Sequence, residues 1–177
     1  MLLQHYQERW ANDFKEIEKV IGEAFIKIDV SIVHVGSTSV PELAAKPIID
    51  IDLVYGPGVA LNEVKTRLEK IGYYHNGDQG IKEREVFRRP KLIKKHQILD
   101  SINHHLYVCP LHSAEFNQHL LFRDFLINNE RERKQYQEIK MEIAEEAKQD
   151  GKTYAYLKDV KAGGFIRSII ERAQKGK

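Results

Sequence analysis

The sequence predicts an α+β fold: a mixed sheet of four or five strands, an N-terminal helix packed on it, and a C-terminal helical layer. Three observations carry this reading. The chain opens on a single amphipathic stripe, residues 30–110 hold short strand patterns punctuated by turns, and beyond Leu111 the pattern becomes helical. At 177 residues the chain is expected to form one domain, with the sheet part over about 1–110 and the helical part over about 111–177.

Tyr6, Trp10, Phe14, Ile17, Ile21 and Ala24 recur at three- and four-residue spacing, which predicts a helix over residues 5–25. Its opposite face is polar. Tyr6 and Trp10 are expected in the core; stacking on a base is the alternative. Residues 32–35 form the first strand. A Gly36-Ser37 turn, a short helical segment over about 38–45 and a second strand at 48–55 follow. Gly56-Pro57-Gly58 stops that strand. Leu61, Val64, Leu68 and Ile71 then mark a helix closed by Gly72. Residues 73–75 are a short strand, and 82–89 read as a strand in an edge or half-exposed position whose large apolar side chains are Val86 and Phe87. Residues 103–109 make the last strand, ended by Pro110. Ser113 caps the next helix, a charged helix spans 130–149, and a final helical stretch carries Gly163-Gly164, a place for a kink or close packing.

Chemistry concentrates in residues 32–55. Asp50 and Asp52 stand two apart on a strand, so both carboxylates leave the same face, with Cα atoms roughly 6.5–7 Å apart. Like charges at that separation cost about 2.5 kcal/mol at an effective dielectric of about 20. A divalent cation reverses the sign of that cost, and Mg²⁺ commonly takes one or two carboxylates plus substrate phosphates. The Gly36-Ser37 turn complements the pair, because glycine admits close approach to the backbone and free amides suit phosphoryl oxygens. A phosphate cradle followed one strand later by Asp-x-Asp is the layout of a nucleotidyltransferase. Either part alone has an ordinary explanation, as a plain turn or a strand end.

Other candidates surround this stretch. His34 either contacts a phosphate or hydrogen-bonds within the fold. Lys46 either neutralises phosphate charge or is a solvated loop lysine. Residues 82–96 hold seven Lys or Arg against two Glu, which makes Arg84, Arg88 and Arg89 candidates for a ligand role and Lys91, Lys94 and Lys95 weaker ones. Arg123 reaches a triphosphate or forms a structural ion pair. Alternation along 103–109 puts His105 and Tyr107 on one face and His104 with Leu106 and Val108 on the core side. No Asp or Glu lies within that strand to serve as a third carboxylate. His105 is the substitute, as third ligand or base; Asp100 and Glu85 are fallbacks.

The segments HVGSTSVP (34–41) and LAAKPIIDI (43–51) resemble the GrpB family of small bacterial proteins, and weaker matches continue through HHLYV (104–108), LFRDF (121–125) and Phe165-Ile166. That family is related to the nucleotidyltransferase superfamily, and its members sometimes occur fused to dephospho-CoA kinase. The resemblance implies a nucleotidyltransferase-like sheet. At residues 105–107 the family pattern looks like His-x-His, from which Tyr107 departs.

Composition bounds the rest. Hydrophobic content of 42% and charged content of 31% suit a globular protein, and a single cysteine, Cys109, excludes an intramolecular disulfide and fits a cytoplasmic location. No run approaches a membrane-spanning length. The net charge of +2 favours a small acceptor over a long nucleic acid. The expectation is metal-dependent nucleotidyl transfer from a nucleoside triphosphate. Asp50 and Asp52 hold Mg²⁺ or Mn²⁺, Gly36, Ser37, Lys46, Arg88 and Arg123 contact nucleotide or phosphate, and His105 assists the acceptor. The alternative is a nucleotide or coenzyme-precursor binding module without turnover. RNA binding is a third reading, resting only on the basic segment.

Overall fold

The computed structural model describes residues 1–90 and 96–176. Lys91, Lys94 and Lys95 lie outside the described residues. Helix α1 (Arg9–Ala24) leads into β1 (Val30–Val35), a 3₁₀ turn at Ser37–Ser39, and β2 (Ile49–Tyr55). Helix α2 (Leu61–Lys70), β3 (Tyr74–His75), β4 (Glu85–Arg88), α3 (Gln97–Ser101) and β5 (His104–Pro110) follow. Helices α4 (Ala114–Asn128), α5 (Glu130–Glu146) and α6 (Gly151–Lys175) complete the chain.

The sheet has five strands in the order β1-β2-β5-β4-β3. It is mixed: β2 runs parallel to β5, and the β1–β2, β4–β5 and β3–β4 pairs are antiparallel. Period-two alternation gives each face a different neighbour. Ile49, Ile51, Leu53, Leu106, Val108 and Phe87 pack against Trp10, Ile17 and Ile21 of α1, Val64 and Leu68 of α2, and Leu99 of α3. Trp10 is therefore a core residue, with Tyr6 edge-on to its ring at 5.6 Å. His104 shares this face. Its Nδ1–H donates to the Ile102 carbonyl at 2.8 Å, which leaves Nε2 to accept from the Tyr73 hydroxyl at 2.6 Å. The opposite face of β2 and β5 carries Asp50, Asp52, His105 and Tyr107. The C-terminal helices hold a second core of Leu126, Tyr136, Ile143, Ala144, Tyr154 and Ala162, which also takes in Leu43 and Val40.

Several expectations need correction. No helix covers 40–45: Val40 is extended, Pro41 supplies no amide proton, and Glu42 sits at φ 65°, so the chain leaves the Ser37–Ser39 turn irregularly. The basic strand is shorter than 82–89, because Glu83 at φ 60° interrupts it; it is half-exposed, with Val86 and Phe87 buried and Arg88 exposed, and the two-residue β3 takes the edge outside it. The strand expected at 73–75 is two residues long, Tyr74–His75, and forms the edge of the sheet beside β4. Helix α6 passes through Gly163-Gly164 unbroken. Helix α3 had no sequence prediction; its His96 cap accepts from the Leu99 amide.

Candidate functional site

Strand register builds the sheet side of the site. Val35, the last residue of β1, pairs with Asp50 of β2, and Asp50 and Asp52 in turn pair with His105 and Tyr107 of β5. The four polar side chains therefore share one face. Gly36 follows Val35 at φ 72°, ψ −170°, a conformation essentially restricted to glycine. A Cβ there would stand 2.4 Å from Asp50 Oδ2. The bend thus lies directly against the Asp50 carboxylate. Ser39 Oγ donates to the Gly36 carbonyl at 2.6 Å, and among the described residues no acceptor is bonded to the amides of Ser37 and Thr38.

His34 fastens the turn from below. Thr38 Oγ1 donates to the Ile48 carbonyl at 3.3 Å and so accepts from His34 Nε2–H at 3.0 Å. Burial pushes the imidazole down to about 4, which keeps it neutral, and its ring stacks on Phe14 with centroids 4.8 Å apart. Of its two readings, His34 takes the structural one.

The carboxylates differ in exposure. Asp50, 29% exposed, accepts from His105 Nδ1–H at 3.0 Å, a bond that in the neutral imidazole puts the lone pair on Nε2. Asp52 is 1% exposed; its Oδ2 accepts from His119 Nδ1 at 2.8 Å, and its buried Oδ1 has no hydrogen-bond partner among the described residues. His119 Nε2 lies 3.5 Å from Glu115 Oε1, and Glu115 in turn lies 3.3 Å from Arg84 Nη1. Burial opposes charge on His119, but hydrogen bonds to two carboxylates outweigh it and hold the imidazole up at about 9. Burial also pushes the Asp52 carboxyl up, against the pull of His119.

A cavity of about 470 Å³ separates this face from the helical layer. Gly36, Ser37, Thr38, Asp50, His105, Tyr107, Glu115 and His119 line it from the sheet and α4. Lys140 of α5, with Tyr154 and Lys158 of α6, faces them, and Lys46 joins from the loop before β2. Lys46 Nζ donates to the Gly151 carbonyl at 3.1 Å and sits 4.3 Å from the centre of the Tyr154 ring. Burial lowers its pKa.

The cavity gathers Gly36, Ser37, Lys46, Asp50 and His105 of the sequence-predicted residues, with Asp52 buried behind Asp50. It does not gather Arg88 and Arg123. Arg88 is exposed at the end of β4, outside the lining. Arg123 donates to Asp124 at 2.7 Å and to the His34 carbonyl at 2.9 Å, so it braces β1 instead of entering the cavity. Arg89 is a buried partner of Asp100 and donates to the Ile71 carbonyl at 2.6 Å; the arginine at the cavity is Arg84, 4.9 Å from the centre of the Tyr107 ring. Neither fallback acid completes the pair, since Glu85 bonds to His75 and Asp100 to Arg89. Besides Asp50, the carboxylates that line the cavity are Glu115, from α4, and Asp159, from α6. Sequence reasoning missed Glu115, His119, Lys140 and Lys158.

Asp50 and Asp52 are the two carboxylates of this strand face that could hold a divalent ion, although Asp52 is buried and does not line the cavity. Asp52 offers a buried oxygen with no hydrogen bond, and Asp50 stands at the cavity wall. Among the described residues no group of three or more His, Cys, Asp or Glu is placed to hold a metal. A pair of carboxylates could hold an ion such as Mg²⁺, which keeps waters and takes phosphate oxygens for the remainder of its shell.

Known proteins share this architecture. The family model described as "GrpB protein" matches residues 1–172. UPF0157 protein YqkA of Bacillus subtilis is 28% identical over 172 residues, covering 97% of this chain and 47% of the relative. UPF0157 protein BH1888 of Halalkalibacterium halodurans is 32% identical over 176 residues, covering 97% of this chain and 81% of the relative. The chain thus spans about half the length of YqkA and most of BH1888. The crystal structure of conserved protein GrpB from Enterococcus faecalis superposes with a TM-score of 0.78 at 28% identity, covering 98% of both chains. A structure of the Cid1 poly(U) polymerase bound to MgATP gives a TM-score of 0.52 at 9% identity, over 86% of this chain and 49% of the polymerase. That likeness concerns the fold alone.

Proposed function

The chain belongs to the GrpB family and has a nucleotidyltransferase-like fold, and from that premise we propose that it binds a nucleoside triphosphate with a divalent cation and transfers the nucleotidyl group to a small acceptor. The observation that carries the reading is the contact between the Gly36 bend and Asp50 at the cavity wall, with Asp52 on the same strand face. Asp50 and Asp52 would hold the ion. When bound, it supplies charge neutralisation to the phosphates and a fixed point for in-line geometry.

The protein's own groups would do the rest. The free amides after Gly36 seat phosphoryl oxygens. The acceptor hydroxyl oxygen forms a bond to the α-phosphorus, the bond to the pyrophosphate oxygen breaks, and the hydroxyl proton passes to His105 Nε2. Asp50 fixes the tautomer that leaves this nitrogen free. The wall of the cavity opposite the sheet orients the substrate, and positioning accounts for most of the rate enhancement.

A second reading is a nucleotide-binding module without turnover. It is favoured by Tyr107, whose phenol stands beside Asp52 in the register and is held by burial well above the ordinary tyrosine range, so it brings no charge. Pyrophosphate release over an acceptor panel, measured with and without Mg²⁺, separates the two. Release that requires both Mg²⁺ and His105 supports transfer. Tight Mg²⁺-dependent binding with no release for any acceptor supports the module.

A further inference from the structure

The cavity wall facing Asp50 is lined by three lysines from three segments: Lys46 before β2, Lys140 on α5 and Lys158 on α6. None of them forms an ion pair among the described residues. Lys140 is 2% exposed; its Nζ donates to the Ala44 carbonyl and lies 5.1 Å from the centre of the Tyr136 ring. Lys46 is held by the Gly151 carbonyl and the Tyr154 ring. Carbonyl dipoles and ring faces hold an ammonium in place without neutralising it. Two of the carboxylates lining the cavity are bonded elsewhere, Asp50 to His105 and Glu115 to Arg84 and His119. Asp159, adjacent to Lys158, is exposed at the cavity rim; it forms no ion pair among the described residues, and Tyr136, Asp50 and Asp159 together favour the charged form of Lys158 against burial.

Burying an ammonium group without an ion-pair partner is costly, and burial lowers the pKa of both Lys46 and Lys140. Burial and the charge of Lys158 push Lys140 down to about 7, against the attraction of Asp50. A ligand that brings several negative charges would relieve this strain, and an apolar one would not.

We propose that Lys46, Lys140 and Lys158 form a polyanion subsite that holds a chain of phosphates without help from a metal ion. The subsite deepens the nucleotidyltransferase reading and rests on it for its biological source. The phosphate chain belongs either to the nucleoside triphosphate or to a phosphorylated acceptor, which share this chemistry.

Calorimetry with inorganic tripolyphosphate in EDTA tests the subsite. The wild-type chain should bind it, and Lys158→Gln, at a half-buried position, should weaken binding by about tenfold or more. Lys140→Met should do the same, and circular dichroism verifies that both variants fold. Asp50→Asn should bind tripolyphosphate at least as tightly as wild type, since it removes a nearby anion. Absence of binding to the wild type, or unchanged affinity in a folded Lys158→Gln, overturns the subsite. Loss of Mg²⁺-dependent nucleotide binding with tripolyphosphate binding intact would instead count against the function proposed above and leave the subsite standing. Competition between ATP and tripolyphosphate assigns the subsite to the nucleotide tail; simultaneous binding of both assigns it to the acceptor.

Discussion

Replacing Gly36 with alanine should damage fold and ligand binding together, because the bend and Asp50 occupy one another's space. The backbone there, at φ 72° and ψ −170°, carries a penalty of about 1–3 kcal/mol for a residue with a side chain. The added Cβ would meet Asp50 Oδ2 at 2.4 Å, Cβ at 2.9 Å and Cγ at 3.0 Å. Since Asp50 Cβ is itself too close, swinging the carboxylate aside does not relieve the clash. An off-rotamer Asp50 adds about 0.5–1.5 kcal/mol and the lost bond to His105 about another 1 kcal/mol. The total is about 2–6 kcal/mol, or a melting temperature about 5–20 °C lower for a chain of this size. Thermal melts and urea titrations measure the stability loss, and calorimetry on the folded variant measures Mg²⁺-dependent nucleotide affinity. Gly56→Ala is the control. Its Cβ would stand 1.8 Å from Asp29 Oδ2 at the other end of the β1–β2 pair, where the carboxylate can move away. That variant should lose some stability and keep its nucleotide affinity. In a double-mutant cycle, Gly36→Ala with Asp50→Ala should be less destabilised than the sum by about 1 kcal/mol. Wild-type stability and affinity in Gly36→Ala would refute the contact as a functional unit.

The other predictions concern charge and metal. His119 is raised from 6.5 to about 9, so its stabilising contribution is fully present below 6.5 and is lost as pH rises through about 9; the difference in unfolding free energy between wild type and His119→Gln should shrink across that window, by about 3 kcal/mol at most. Lys140 is shifted the other way, from 10.5 to about 7, so the unfolded chain binds more protons between those values and stability should rise with pH there. Carbon-13 NMR of labelled lysine should show one resonance titrating near 7 that Lys140→Met removes. Tyr107 has its ring 6.2 Å from that of His105 and 6.1 Å from that of His119, so Tyr107→His should bring imidazoles together and raise affinity for Zn²⁺ or Ni²⁺, measured by competition with a metallochromic chelator. Unchanged metal affinity would place that face away from any ion.

What the sequence revealed follows from the range of the forces involved. Asp50, Asp52, His105 and Tyr107 share a face because strand alternation is local, and the parallel pairing of β2 with β5 merely brings two correctly read faces side by side. The Gly36 bend was legible for the same reason. The helical wall was not, because residues more than 60 positions away must be docked before they can be assigned to the cavity. Lys140 did leave a trace. It lies four residues after Tyr136 and three before Ile143, on the apolar seam of α5, where a solvated lysine is out of place. His119 and Glu115, four apart on α4, formed an i,i+4 pair that pointed nowhere until Asp52 was placed beneath it. Arg88 lies on a strand near the site and Arg123 on a helix beyond it, and neither charge nor proximity in sequence fixes where a side chain points. Arg123 spends its guanidinium on Asp124 and the His34 carbonyl, and Arg88 faces solvent.

The most direct test is the affinity of wild type and Asp50→Asn for the four nucleoside triphosphates, each measured with Mg²⁺ and with EDTA. The expected result is wild-type binding that strengthens with Mg²⁺ and an Asn variant in which that enhancement falls about a hundredfold while the fold is retained. Equal affinity and equal Mg²⁺ dependence in the two proteins would contradict the assignment of Asp50 to the metal and nucleotide site.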